Sequence, residues 1–92
     1  MIVLVVLEPN PPRAMPEFIE ALEENSSYWR LLLRNAWVSH PTVSVQGLYG
    51  ALKAQLGQND KLFVTKITHD HAGWLDEKAV TWLKQAQKAG LF

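Results

Sequence analysis

Apolar and polar positions divide this chain into seven short segments, each with a readable period. Ile2-Val3-Leu4-Val5-Val6-Leu7 is an unbroken apolar run, mostly β-branched, that ends at Glu8. A run this short and this β-rich predicts a strand buried on both faces, hence one in the interior of a sheet. Pro9-Asn10-Pro11-Pro12-Arg13 follows and suits neither a helix nor a central strand. Pro16 fits the first turn of a helix, with Glu17 and Glu20 near its positive end and Phe18, Ile19 and Leu22 as its apolar stripe. Asn25-Ser26-Ser27 closes that helix.

Residues 28–40 alternate in the manner of a hairpin turning at Arg34-Asn35, where asparagine supplies the positive φ that two-residue hairpin turns need. In that register Trp29, Leu31, Leu33, Ala36 and Val38 share one face and read as core. Tyr28, Arg30, Leu32, Trp37 and Ser39 share the other, a partly aromatic surface that needs a cover. His40-Pro41 stops the strand. Ser44 then caps a helix carrying Val45, Leu48, Tyr49, Leu52 and Leu56 at helical spacing, closed by Gly57. Gly47 and Gly50 weaken it by up to about 1 kcal/mol each unless they let it approach the sheet closely. Residues 61–68 form a strand with Leu62, Phe63, Val64 and Ile67, whose two lysines guard an edge. Asp76 caps a last helix with Ala79, Val80, Trp82, Leu83 and Ala86 on its apolar side.

The order strand, helix, strand, strand, helix, strand, helix predicts an α+β fold. It is a ferredoxin-like βαββαβ sheet with an additional C-terminal helix, in a single domain spanning residues 1–92. Two helices cover one face of such a sheet and leave the second open, here with Tyr28, Leu32 and Trp37 as its interface residues. Three covers are available: the C-terminal helix folding back, a second copy packing sheet to sheet, or nucleic-acid bases stacking on the aromatics.

Composition narrows the chemistry. A 48% apolar content is that of a globular chain, and no cysteine is present to form disulfides, act as a nucleophile or ligate zinc. Nine basic and nine acidic residues cancel, so nucleic-acid binding must rest on a local patch, for which Arg13, Arg30 and Arg34 are the candidates. The first apolar run lacks the positive flank and length of a signal peptide, and nothing approaches a membrane span of about 20 apolar residues. The expectation is a soluble, cytoplasmic protein with no membrane partner.

Glu8 is the one acid that the pattern places at the end of a central strand. Alone it is too little to hold magnesium, but a two-fold dimer doubles it; its plainest role is a solvated carboxylate paired with Arg13 or a lysine. His69 and His71, two apart, point the same way on a strand and form two ligands of a zinc or nickel site if Asp76 or His40 supplies a third. Ser26, Ser27 and Ser44 have no visible base and read as helix-end residues. There is no phosphate-binding glycine loop.

Taken together, Leu4-Val5-Val6-Leu7-Glu8, the stretch Ser27-Tyr28-Trp29-Arg30-Leu31-Leu32-Leu33-Arg34-Asn35-Ala36-Trp37-Val38, Asp60-Lys61-Leu62-Phe63-Val64, Gly73-Trp74-Leu75 and Thr81-Trp82-Leu83-Lys84 give the chain a familiar outline. It resembles the VapD and SinR-like group of small proteins, relatives of the small endonuclease-like subunit of the CRISPR adaptation complex. The resemblance implies a ferredoxin-like homodimer. In nuclease members an aspartate at the end of the first strand of each protomer binds metal and cleaves RNA or DNA; in adaptation complexes the same fold is a non-catalytic scaffold that grips DNA. This chain carries Glu8, one methylene longer, where aspartate is usual.

Binding is favoured over catalysis on these grounds. The first expectation is a small homodimer acting by binding to nucleic acid or to a protein partner, including a scaffold role in a defence or mobile-element context drawn from the resemblance. The second is a metal-dependent endoribonuclease with Glu8 as both catalytic and metal-binding residue, using magnesium or manganese across the dimer axis. A third is small-molecule binding at a dimer interface.

Overall fold

A computed structural model describes residues 1–92. The elements are β1 (Ile2–Glu8), α1 (Pro16–Glu24), β2 (Ser26–Leu33), β3 (Ala36–Pro41), α2 (Val45–Lys53), β4 (Lys61–Ile67) and α3 (Glu77–Lys88). All neighbouring strands are antiparallel, in the order β2-β3-β1-β4. The fold is α+β, the ferredoxin-like arrangement followed by a C-terminal helix, in agreement with the predicted order. The apolar first run lies inside the sheet, and β4 with Lys61 and Lys66 lies at its edge.

β1 supplies a core on each side. Val3, Val5 and Leu7 pack against Phe18 and Leu22 of α1 and Leu48 and Leu52 of α2. Ile2 and Leu4 face the other way, with Val38, against Ala86 and Trp82 of α3 and the terminal Leu91 and Phe92. Each fully buried side chain of this size contributes about 1.5–3 kcal/mol relative to exposure, so the strand most apolar in sequence is the one both layers depend on.

The helices begin where their caps predict. Pro16 opens α1, the Ser44 hydroxyl accepts from the Gly47 N–H at 3.0 Å, and the Asp76 carboxylate accepts from the Ala79 N–H at 2.7 Å. α2 ends at Lys53, short of the predicted stop at Gly57. The Gly57 N–H is instead taken by the Asp60 carboxylate at 2.7 Å, which folds residues 57–60 into a turn.

The hairpin departs from the predicted register. Neither Arg34 nor Asn35 has a positive φ, so the turn lacks the mirror-image twist that matches paired strands. The pairing slips by one residue immediately before it: Leu33 faces Ala36, but Leu31 faces Trp37 and Arg30 faces Val38. This bulge at Leu32 regroups the faces. Trp29, Leu31 and Trp37 now share the α1/α2 side, while Tyr28, Arg30, Leu32, Leu33, Ala36 and Val38 share the α3 side. Leu31 and Leu33, expected in the core, are exposed.

The two glycines of α2 serve no close approach to the sheet. A methyl group added at Gly50 meets no atom within 4 Å. Gly50→Ala is therefore expected to raise stability by about 0.5–1 kcal/mol, lifting the thermal midpoint by a few degrees. Calorimetry checks this, and an unchanged or lowered midpoint contradicts it.

Candidate functional site

Two surfaces bring together residues with chemical or binding potential: the loops around the end of β1, and the α3 side of the sheet. At the first, Arg13 and Asp60 form the only salt bridge of the protein. Arg13 Nη1 and Nη2 donate to the two carboxylate oxygens at 2.9 and 2.7 Å, and the backbone N–H groups of Asn10 and Gly57 donate at 2.8 and 2.7 Å. Arg13 Nη1 also donates to the Pro11 carbonyl at 3.0 Å. Only 1% of the Asp60 side chain is exposed. A carboxylate that accepts this many bonds is held well below its usual pKa, by the Arg13 hydrogen bond first and the Asn10 and Gly57 N–H groups next; desolvation opposes them.

Arg13, expected to meet phosphates, is thus committed to joining the 9–13 loop to the 57–60 turn. Glu8 does not pair with it. Glu8 is exposed, and its cross-strand neighbour is Lys61. Arg30 lies on the α3 side of β2, where Nη1 donates to the Lys78 carbonyl at 3.1 Å and Nε is buried without a partner. Arg34 alone of the three arginines has a guanidinium free of protein partners, at the exposed hairpin tip. No common basic patch forms. Arg13 and Arg34 do line one cavity, beside Trp37.

The three expected interface residues separate. Tyr28 stacks on Trp82 of α3 with ring centroids 5.1 Å apart, and Leu32 packs into the α3-side core. Trp37 is on the opposite face, against Phe18 at 5.5 Å, because of the bulge at Leu32. The C-terminal helix therefore covers part of the second face.

The histidines make no metal centre: no group of three His, Asp or Glu side chains gathers anywhere. His71 Nδ1 lies 2.7 Å from the Thr68 carbonyl, its ring beside Phe92, while His40 contacts Ser27 instead. The Ser27–His40 pair, with Oγ 2.9 Å from Nδ1, went unrecognised in the sequence because bulged pairing creates it. It does not build a nucleophile. Ser27 Oγ lies against both Nδ1 at 2.9 Å and the His40 carbonyl at 3.1 Å, and no third side chain holds the far side of the imidazole to orient it as a base.

The α3 side holds the feature that sequence reasoning missed. Leu33, Ala36, Val6 and Phe63 pair in turn across all four strands, forming one apolar row in which Ala36 is buried, Val6 half-buried and the two ends open. Leu33 is 53% exposed and Phe63 64%. Beside the row, an apolar groove of about 570 Å³ runs between Leu4, Leu32 and Ile67 of the sheet, Leu83 of α3 and Leu75 of the preceding loop. Trp74, at the groove rim, is fully exposed. The signal for it was present: a tryptophan in a polar loop, with no periodic apolar partner. Comparison with protein-family models, curated proteins and solved structures finds no match to this chain.

The depressed Asp60 pKa carries a sign. A carboxyl group with a folded-state value below its unfolded value, about 3.9, stabilises the fold above that pH and loses its contribution as pH falls below it. Asp60→Asn should lower the urea midpoint at neutral pH, and the gap to wild type should narrow between about pH 5 and pH 2. A gap that stays constant with pH contradicts the assignment.

Proposed function

We propose that the protein acts by binding, as a homodimer whose copies meet through the open half of the α3-side sheet face. The role is that of a protein scaffold or nucleic-acid-associated factor, in the defence or mobile-element setting that the VapD and SinR-like resemblance implies. The observation that carries this reading is the row Leu33, Ala36, Val6 and Phe63, continuous with the groove and Trp74. Contiguous apolar surface of this kind marks an interaction site. The surface area agrees. The chain exposes 6088 Å², about 700 Å² more than the roughly 5,400 Å² that area–mass scaling gives for a monomer of 10.4 kDa. An interface of standard size removes about 800 Å² from each partner.

A second reading, the metal-dependent endoribonuclease, draws on one observation. Glu8 follows Val6 by two residues on β1 and so belongs to the same side of the sheet as the open row. Face-to-face pairing brings both copies of Glu8 to one interface, where magnesium or manganese has two carboxylates to meet.

Sedimentation velocity tests the dimer. Wild type is expected at twice the monomer mass and Phe63→Glu as a monomer with an unchanged far-UV circular dichroism spectrum; a monomeric wild type overturns the reading. Binding to RNA or DNA through lysines should fall steeply as salt is raised, whereas binding to a protein through apolar surface should not. The nuclease reading requires metal-dependent RNA cleavage that disappears in Glu8→Ala with the dimer intact. Cleavage unchanged in that variant removes it.

A further inference from the structure

The cavity lined by Arg13 and Arg34 lies on the other side of the sheet from the open row, and the dimer does not account for it. It occupies about 410 Å³ beneath the hairpin tip, between the end of β1, the 9–15 loop and the start of α1. That volume lies within the roughly 300–1,000 Å³ typical of small-ligand sites. Its apolar wall is formed by Leu7, Met15, Phe18, Ile19 and Trp37. Phe18 is wholly buried and its ring backs the half-buried Trp37 at 5.5 Å, so the indole is the aromatic surface open to the cavity.

The charged lining is all of one sign. Arg13 and Arg34 are the only ionisable side chains on the wall, and no carboxylate lines it. Asp60 neutralises Arg13, so the net charge presented is the single guanidinium of Arg34. An apolar site with one uncompensated cation at its mouth selects a monoanion with an apolar body, since a dianion leaves one charge unpaired on desolvation. A guanidinium also matches a planar carboxylate in two-pronged geometry.

The walls are fixed before any ligand arrives. The bonds of Asp60 lock Arg13 in place, and the Leu7 N–H donates to the Asn35 carbonyl at 2.9 Å, tying the hairpin tip to the end of β1. A preformed site loses little conformational freedom on binding. We propose that this cavity binds a small aromatic monocarboxylate, with the ring against Trp37 and the carboxylate on Arg34.

The test uses the full chain with naphthalene-2-carboxylate and its neutral counterpart naphthalene-2-carboxamide, followed by calorimetry and amide chemical-shift mapping. The carboxylate should saturate, shift the amides of Leu7, Phe18 and Asn35 and the Trp37 indole, and bind at least about tenfold more tightly than the carboxamide, the least that a charge-assisted hydrogen bond contributes. Arg34→Gln, at an exposed turn, should bring the two compounds to equal affinity. The monomeric Phe63→Glu variant should bind the carboxylate as wild type does, which separates this site from the dimer. Equal affinity of the two compounds in wild type, a preference that persists in Arg34→Gln, shifts confined to Trp74 and Leu83 in the groove, or no saturation would each overturn the proposal.

Discussion

The burial of β1 on both faces is the constraint from which the other features descend. Ile2, Val3 and Val5 are wholly buried, and no single layer of helices covers residues that point alternately to opposite sides. The chain meets this demand unequally. α1 and α2 close one face with Phe18, Leu22, Leu48 and Leu52, while α3 closes the other only around Ile2, Leu4 and Val38. Val6 lies on the face of Ile2 and Leu4 but outside that cover, which is why the last turn of an otherwise buried strand opens onto apolar surface.

Asp60 is the second organising group, and it changes the meaning of its neighbours. A buried carboxylate must be paired, and the cheapest cation within reach is Arg13. Once that bond is made, Arg13 is a structural residue that frames a cavity and presents no free charge to phosphate. The same carboxylate takes the Gly57 N–H and closes the 57–60 turn that follows α2. One acid thus sets a turn, a loop conformation and the charge of a cavity, though in the sequence Asn59-Asp60 reads as an ordinary turn.

Element order, strand positions and helix caps were legible because they depend on local chemistry: β-branched runs, Ser44, Asp76 and Pro16 act on backbone groups a few residues away. The side-chain partition of the hairpin was not. It depends on whether Arg34-Asn35 takes a turn with positive φ, and the negative φ values adopted there bring the bulge at Leu32, which moves Trp37 to the opposite face. One residue of slip was enough to split Tyr28 and Leu32 from Trp37 and to leave Leu33 in the open row. The candidate site suffered for the same reason. Arg13–Asp60 and Arg30–Lys78 join residues far apart in the chain, and pairings of that kind have no periodic signature. The exposure of Arg34 was legible because a hairpin turn leaves a charge where the sequence puts it.

Geometry explains which half of the second face stays open. α3 packs against residues of all four strands and so lies across them; a seven-residue strand such as β1 runs about 23 Å, and a helix covers about 10 Å of that length. Two helices close one face; α3, alone, covers about half of the other. Connectivity then chooses the half. The chain leaves β4 at Ile67, which pairs with Ile2 at the start of β1, so residues 68–76 deliver α3 to that end. Trp82 settles over Tyr28, Ala86 beside Ile2 and Val38, and the terminal Leu91 and Phe92 turn back onto the same cluster. The opposite end, with Val6, Phe63 and Glu8, is where no element of this chain arrives. In the homodimer we propose, a second copy supplies what the topology omits, and because a two-fold axis pairs like with like, the row that lacks a cover is also the row that provides one.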